Sequence, residues 1–67
     1  MIVVANGRAV ELPDGSTLTA LLETLGIPVK AVAAMEHNGE PVSRAEQASR
    51  SLADGDRIEL VRAVAGG

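Results

Sequence analysis

Residues 2–12 read IVVANGRAVEL, two β-prone runs on either side of the pair Asn6-Gly7. Both central positions of a type I′ turn need a positive φ, which Asn followed by Gly adopts at low steric cost. Two such runs around an Asn-Gly pair are a strong short-range signal for a hairpin. The chain is therefore predicted to open with two antiparallel strands joined by a two-residue turn.

A helix is predicted directly after this hairpin. Residues 13–15, Pro-Asp-Gly, form a turn, and Ser16 or Thr17 can then cap the helix through its side-chain oxygen. Gly26 suits the position that ends a helix, and Pro28 prevents its continuation. Leucines at the i, i+3, i+4, i+7 spacing give the helix one apolar face: Leu18, Leu21, Leu22 and Leu25.

A third strand and a short edge strand are predicted around a second Asn-Gly pair. Val32 to His37 precede this pair, at residues 38–39, and have the composition of a strand. Residues 40–42 can return as an edge strand, because the proline at position 41 is tolerated at a sheet edge.

The last part of the chain predicts a short helix and a final strand. Ser43, followed three residues later by Glu46, has the spacing of a capping box, which predicts a short second helix. Residues 57–62 alternate in polarity and are predicted to form the last strand. The alternation places Ile58 and Leu60 towards the core, and Glu59 and Val61 on the opposite face.

The order of these elements predicts an α+β fold. The first two strands must be antiparallel neighbours, and a right-handed crossover through the helix places the later strands beside the first. This is the β-grasp arrangement of ubiquitin-like domains, a mixed sheet of four to five strands with one main helix and a short second helix. We expect residues 1–62 to form the β-grasp domain and residues 63–67 to be a flexible C-terminal Gly-Gly tail.

The composition limits the classes of function. The 67 residues suffice for one domain; without Cys or aromatic residues, the core must be aliphatic and no thiol nucleophile or Cys-based zinc site can form. The formal charge of −3 comes with six dispersed basic residues, which argues against a nucleic-acid partner. Because the sequence shows neither a secretory signal nor a membrane-length apolar run, we expect a cytoplasmic protein without a membrane partner.

Few internal residues could carry catalysis. His37 stands beside a predicted turn, where it could be an acid, a base or a ligand, but an exposed strand-end residue is the more ordinary interpretation. The acidic pairs Asp54 with Asp56 and Glu36 with Glu40 could bind a cation, but each pair flanks a turn, where acidic residues are common. We therefore predict solvated turns, no metal site and no catalytic residue in this chain.

The last five residues form a distinct segment. They carry no charged or bulky side chain and, when extended, reach about 16 Å. Val64, Ala65 and Gly66 could thread into a partner's active site and place the carboxylate of Gly67 there, unobstructed by a Cβ atom. Because a carboxylate is a poor electrophile, this chemistry needs activation by another protein, most simply as an acyl-adenylate made from ATP. The alternative is a frayed chain end without a function.

Taken together, these residues resemble the ThiS family, the sulfur carrier proteins of thiamine biosynthesis. The resemblance covers essentially the whole chain and is most specific at its end. It rests on Asn6-Gly7, Leu21-Leu22, Glu36-His37-Asn38-Gly39-Glu40, Asp54-Gly55-Asp56 and residues 61–67. Two departures are Val42-Ser43-Arg44, where many relatives have Val-Pro-Arg, and Gln47-Ala48, where they have a nearby Trp.

The resemblance implies a set of partners and a role for the chain end. Family members are β-grasp domains whose terminal glycine is adenylated by a ThiF-type enzyme that uses ATP and magnesium. The glycine then becomes a thiocarboxylate that donates sulfur to a ThiG-type thiazole synthase, with a sulfur donor such as a cysteine desulfurase. By this resemblance Gly67 carries the sulfur. The chain is then a protein co-substrate, not an enzyme, and binds no cofactor of its own.

Three other functions remain open. The molybdopterin carriers of the MoaD family share the fold and a terminal Gly-Gly, although they are typically longer and often carry prolines before the tail. A ubiquitin-like protein modifier would use the same activated Gly67 to form isopeptide bonds, with an amine in place of sulfur as the nucleophile. In a plain interaction module the sheet surface would bind a partner and the tail would be incidental.

Overall fold

A computed structural model describes residues 1–63 of the chain. Five strands form one mixed sheet in the order β2-β1-β5-β3-β4, in which β1 and β5 are parallel and the other neighbours antiparallel. This is the β-grasp arrangement that the order of elements predicts. The elements are β1 (Ile2–Ala5), β2 (Arg8–Glu11), α1 (Leu18–Leu25), a 3₁₀ turn (Val29–Ala31), β3 (Val32–His37), β4 (Glu40–Pro41), α2 (Arg44–Gln47) and β5 (Arg57–Arg62).

The opening hairpin forms as predicted. Asn6 and Gly7 have φ angles of 48° and 81°, the positive values that a type I′ turn requires. β1 and β2 pair directly on either side of this turn, with Ala5 opposite Arg8. The turn therefore fixes the register of the first two strands.

The helix α1 also has the predicted ends. Thr17, not Ser16, is its N-cap, and the Thr17 hydroxyl accepts a 3.3 Å hydrogen bond from the Ala20 N–H. The Ser16 hydroxyl instead donates to the carbonyl of Pro13. At the other end Gly26 adopts a φ of 71°, which glycine tolerates and which stops the helix.

The core lies between α1 and one face of the sheet. Leu18, Leu21 and Leu22 of α1 are fully buried, while Leu25 is partly buried. The predicted inward residues of β5, Ile58 and Leu60, are buried in the same core. The buried apolar residues are all aliphatic or methionine: Val3, Ala5, Leu12, Leu18, Leu21, Leu22, Val32, Met35, Val42, Leu52, Ile58 and Leu60.

The short helix α2 has the predicted capping box. The Ser43 hydroxyl accepts from the Glu46 N–H at 3.3 Å, and the Glu46 carboxylate accepts from the Ser43 N–H at 3.0 Å. Gln47 at the end of α2 is buried, and its Oε1 has no hydrogen-bond partner among the residues described. No helix within residues 1–63 is long and apolar enough to cross a membrane.

Candidate functional site

The strand β5 is the element that leads to the C-terminal segment. It lies in the middle of the sheet, between β1 and β3. On the β3 side pairing reaches Arg62, which lies opposite Val32, and the Ala63 N–H donates a 2.7 Å hydrogen bond to the Ala31 carbonyl. On the β1 side strand pairing ends at Ile58. Backbone hydrogen bonds therefore hold the end of β5 on the side of β3 but not on the side of β1.

On the β1 side, the side chain of Asn6 continues the contact where the strand stops. Leu60 donates its N–H to Asn6 Oδ1 at 2.7 Å, and Asn6 Nδ2 donates to the Leu60 carbonyl at 3.1 Å. The Asn6 N–H also donates to the Ile58 carbonyl at 2.9 Å. One turn residue thus makes three hydrogen bonds to β5.

Asn38, the first residue of the second Asn-Gly pair, contacts the opposite end of β5. The Arg57 N–H donates to Asn38 Oδ1 at 2.8 Å, and Asn38 Nδ2 donates to Asp56 Oδ1 at 3.0 Å. The sequence predicts both asparagines only as turn formers. The Asn-Gly pairs identify the turns, but nothing local in the sequence shows that both side chains reach the same distant strand.

The residues predicted to carry the chemistry, Gly67 and the threading residues Val64, Ala65 and Gly66, lie outside the described residues. Their roles stay predictions. Described residues reach Ala63, so the structure shows the strand from which that segment starts.

The face of the sheet opposite α1 carries exposed apolar side chains near the end of β5. Val61 is 58% exposed and lies opposite Ala34 of β3, which is also exposed. Two residues along each strand, Glu59 lies opposite Glu36, and both are exposed. This confirms that Glu59 and Val61 point away from the core. The four residues form a small apolar patch with an acidic edge.

The prediction that His37 is an exposed strand-end residue is wrong. Its side chain is 11% exposed, and its Nε2 lies 2.6 Å from Oδ2 of Asp56, whose side chain is 14% exposed. Asp56 is therefore not a solvated turn residue either. The two residues meet because β3 and β5 pair, so the contact has no local sequence signal. Asp54 also has a partner, since its Oδ1 accepts from the Ile2 N–H at 2.7 Å, whereas Glu36 and Glu40 are exposed as expected.

Arg50 completes the surroundings of His37. Its Nη1 lies 3.4 Å from His37 Nδ1, and because a guanidinium can only donate, Nδ1 is assigned as the acceptor and Nε2 as the donor to Asp56. Arg50 also contacts the carboxylates of Glu46 at 3.2 Å and Glu40 at 3.6 Å. These contacts join the end of β3 to the segments that precede β5.

The carboxyl group of Asp56 is stabilised in its charged form. Burial acts to raise its pKa, but hydrogen bonds from the Ala53 N–H, the Asn38 amide and the His37 ring outweigh burial and hold the pKa below its ordinary value. The His37–Asp56 contact joins the last residue of β3 to the residue before β5, and within residues 1–63 no Ser or Thr hydroxyl hydrogen-bonds to either side chain. We therefore assign it a structural role.

The described residues form neither a metal-binding cluster nor an enclosed pocket. Within residues 1–63 no group of three or more His, Asp or Glu side chains is placed to hold a metal ion. The same residues form no pocket that could enclose a small molecule.

Known proteins resemble this chain over its whole length. Residues 3–67 match the ThiS family. A crystal structure of the thiamine biosynthesis protein ThiS from Geobacter metallireducens matches with a TM-score of 0.80 and 27% identity, covering 100% of both chains. An NMR structure of a thiamine biosynthesis protein from the same organism has a TM-score of 0.79 and 28% identity, covering 100% of this chain and 88% of that one. No curated protein matches the chain.

The sheet order and the single crossing helix define a ubiquitin-like β-grasp domain. Within that class the chain belongs to the ThiS family. Membership of this family supports a sulfur carrier role in thiamine biosynthesis.

Proposed function

We propose that this chain is a cytoplasmic sulfur carrier whose C-terminal Gly67 is adenylated, converted to a thiocarboxylate and used to form the thiazole of thiamine. The observation that supports this most is the family match, which extends through Gly67. A second supporting observation is the position of β5, which is hydrogen-bonded along both edges immediately before the C-terminal segment. Such an anchored strand can present the last residues to a partner enzyme in a defined direction.

The proposed chemistry takes place in partner enzymes. An oxygen of the Gly67 carboxylate attacks the α-phosphorus of ATP, pyrophosphate leaves, and an acyl-adenylate forms. The terminal sulfur of a cysteine persulfide then attacks the carbonyl carbon, AMP leaves, and an acyl disulfide forms. A thiolate attacks the cysteine sulfur of this acyl disulfide, so that a new disulfide forms and the Gly67 thiocarboxylate is released. A ThiF-type enzyme would bind the ATP and magnesium, a cysteine desulfurase would supply the sulfur, and a ThiG-type synthase would accept it. This chain binds no cofactor and acts as a co-substrate.

The apolar patch with its acidic edge supports a docking role for the sheet face. Val61 and Ala34 offer apolar area, while Glu36 and Glu59 place two like charges opposite each other. Like charges in a cross-strand pair are unfavourable in the free protein, and a partner's basic side chain would relieve the repulsion. We propose that the activating enzyme contacts this face while Val64, Ala65 and Gly66 thread into its active site.

Removal of Gly67 tests the proposal. The truncated protein should fold like the full chain, since terminal residues contribute little to stability. It should no longer support ATP–pyrophosphate exchange by a ThiF-type enzyme, because the carboxylate would end one residue short of the reacting phosphate. Exchange at the full-length rate by the truncated protein would contradict a role for Gly67.

A further inference from the structure

We infer that Asn6 is a positioning residue that sets the direction in which the C-terminal segment leaves the sheet. The inference rests on the proposed function, because it assigns Asn6 a role in presenting Gly67 to the activating enzyme. It concerns the two side-chain hydrogen bonds between Asn6 and Leu60. Asn6 touches neither ATP nor the reacting carboxylate in this scheme.

The first argument comes from the edge of β5 that faces β1. Backbone pairing there stops at Ile58, although β5 continues for four more residues to Arg62. The Asn6 amide then contacts both the N–H and the carbonyl of Leu60, as a neighbouring strand would. Asn6 thus holds this edge of β5 two residues beyond the last strand pair.

The second argument comes from geometry along the strand. Leu60 precedes Ala63 by three residues, and the Ala63 N–H bonds to Ala31 on the other edge. The end of β5 is therefore fixed at Leu60 on one side and at Ala63 on the other. If the Asn6 contact is lost, β5 beyond Ile58 is paired on one edge and can swing or fray more easily. A wider range of strand directions reduces the fraction of molecules that present the C-terminus correctly.

Asn38 provides a matched comparison within the same chain. It also begins an Asn-Gly turn, has a φ of 52° against 48° for Asn6, and bonds through its side chain to β5. Its contacts, however, lie at Arg57 and Asp56, at the start of the strand. Loss of the two side chains should therefore destabilise the protein in similar ways but affect the end of β5 differently.

The experiment compares Asn6→Gly with Asn38→Gly in the full chain. Glycine keeps the positive φ of each turn and removes the side-chain bonds. Steady-state activation by a ThiF-type enzyme is measured by pyrophosphate release over a range of carrier concentrations. Amide hydrogen exchange at Ala63 is measured by NMR on the same samples, together with unfolding in urea.

For Asn6→Gly we expect KM for the carrier to rise roughly tenfold with kcat nearly unchanged, because presentation is impaired and the chemistry is not. The Ala63 amide should exchange faster. Asn38→Gly should leave both KM and the exchange rate at Ala63 near the wild-type values, even if it loses as much stability as Asn6→Gly. Asn6→Asp keeps an acceptor for the Leu60 N–H but turns a carboxylate towards the Leu60 carbonyl, so its KM should fall between wild type and Asn6→Gly.

Three results would overturn the inference. An unchanged KM for Asn6→Gly would show that the contact does not position the C-terminus. Equal KM increases in Asn6→Gly and Asn38→Gly would show a general loss of stability instead. Unchanged exchange at Ala63 would show that Asn6 does not hold the strand end. Failure of the wild-type chain to be activated is a distinct result, which would remove the proposed function and this inference with it.

Discussion

His37 Nε2 and Asp56 Oδ2 lie 2.6 Å apart and join the end of β3 to the residue before β5. Asp56 also accepts hydrogen bonds from Asn38 and from the Ala53 N–H. A carboxylate with this many donors stabilises the folded chain only while it is charged. The contact therefore makes the stability of the domain depend on pH in the acidic range.

Asp56→Asn should lower the free energy of unfolding by roughly 1–3 kcal/mol well above the carboxyl pKa, because hydrogen bonds to a charged acceptor are lost. The folded-state pKa of Asp56 lies below its ordinary value. Its stabilisation is therefore fully present above the unfolded-state pKa, about 3.9, and disappears as pH falls through the folded-state pKa. Urea unfolding should show that the difference in free energy of unfolding between wild type and Asp56→Asn decreases as the pH is lowered from about 5 to about 2.

Glu23→Gln is the control for this titration. Glu23 is exposed and makes no side-chain hydrogen bond or ion pair among the described residues. Its unfolding curves should follow those of the wild type at each pH. The assigned role of the Asp56 charge would be contradicted if the difference in free energy of unfolding between wild type and Asp56→Asn stayed constant down to about pH 2.

Val61→Asp should weaken activation by a ThiF-type enzyme while the domain stays folded. Val61 is 58% exposed in the free chain, so the substitution costs little core packing. Burial of a valine in an interface is worth about 1.5–3 kcal/mol, so KM for the carrier should rise tenfold or more, on the order of that loss. Ile2→Asp is the matched control, because Ile2 is 51% exposed but lies about 20 Å away along the sheet. Equal effects of the two substitutions would argue against docking near the end of β5.

Gln47→Met should stabilise the protein. The buried Oε1 of Gln47 lacks a partner among the described residues, and an unsatisfied buried polar atom costs about 1–3 kcal/mol. Methionine has a similar length and no strong acceptor, so the midpoint of urea unfolding should rise. Gln47→Ala removes the same atom but leaves a void, and its midpoint should fall. A lower midpoint for Gln47→Met than for wild type would show that the amide is satisfied in solution.

Much of the fold could be predicted because its signals are local. The two Asn-Gly pairs fix both hairpins, the leucine spacing fixes the inner face of α1, and the alternation in residues 57–62 fixes the two faces of β5. Each of these signals depends on residues within about one helical turn or strand of each other. The order of the elements then leaves few ways to arrange a single sheet.

The contacts around β5 could not be predicted in the same way. His37 meets Asp56 across 19 positions of sequence, and Asn6 meets Leu60 across 54. Such contacts depend on the register of paired strands, which no short segment encodes. The position of His37 beside a turn therefore predicts an exposed side chain, whereas the structure buries most of it. No local pattern predicts that the polar side chain of Gln47 is buried.

The most direct test of the account is an intact mass measurement of the protein after incubation with a ThiF-type enzyme, ATP, magnesium, a cysteine desulfurase, cysteine and a thiol reductant, which releases the thiocarboxylate from the acyl disulfide. We predict a mass increase that corresponds to one sulfur atom in place of one oxygen, located at Gly67 by fragmentation and absent from the chain that lacks Gly67. An unchanged mass under conditions in which the same enzymes load a known carrier would contradict the proposal that this chain carries sulfur.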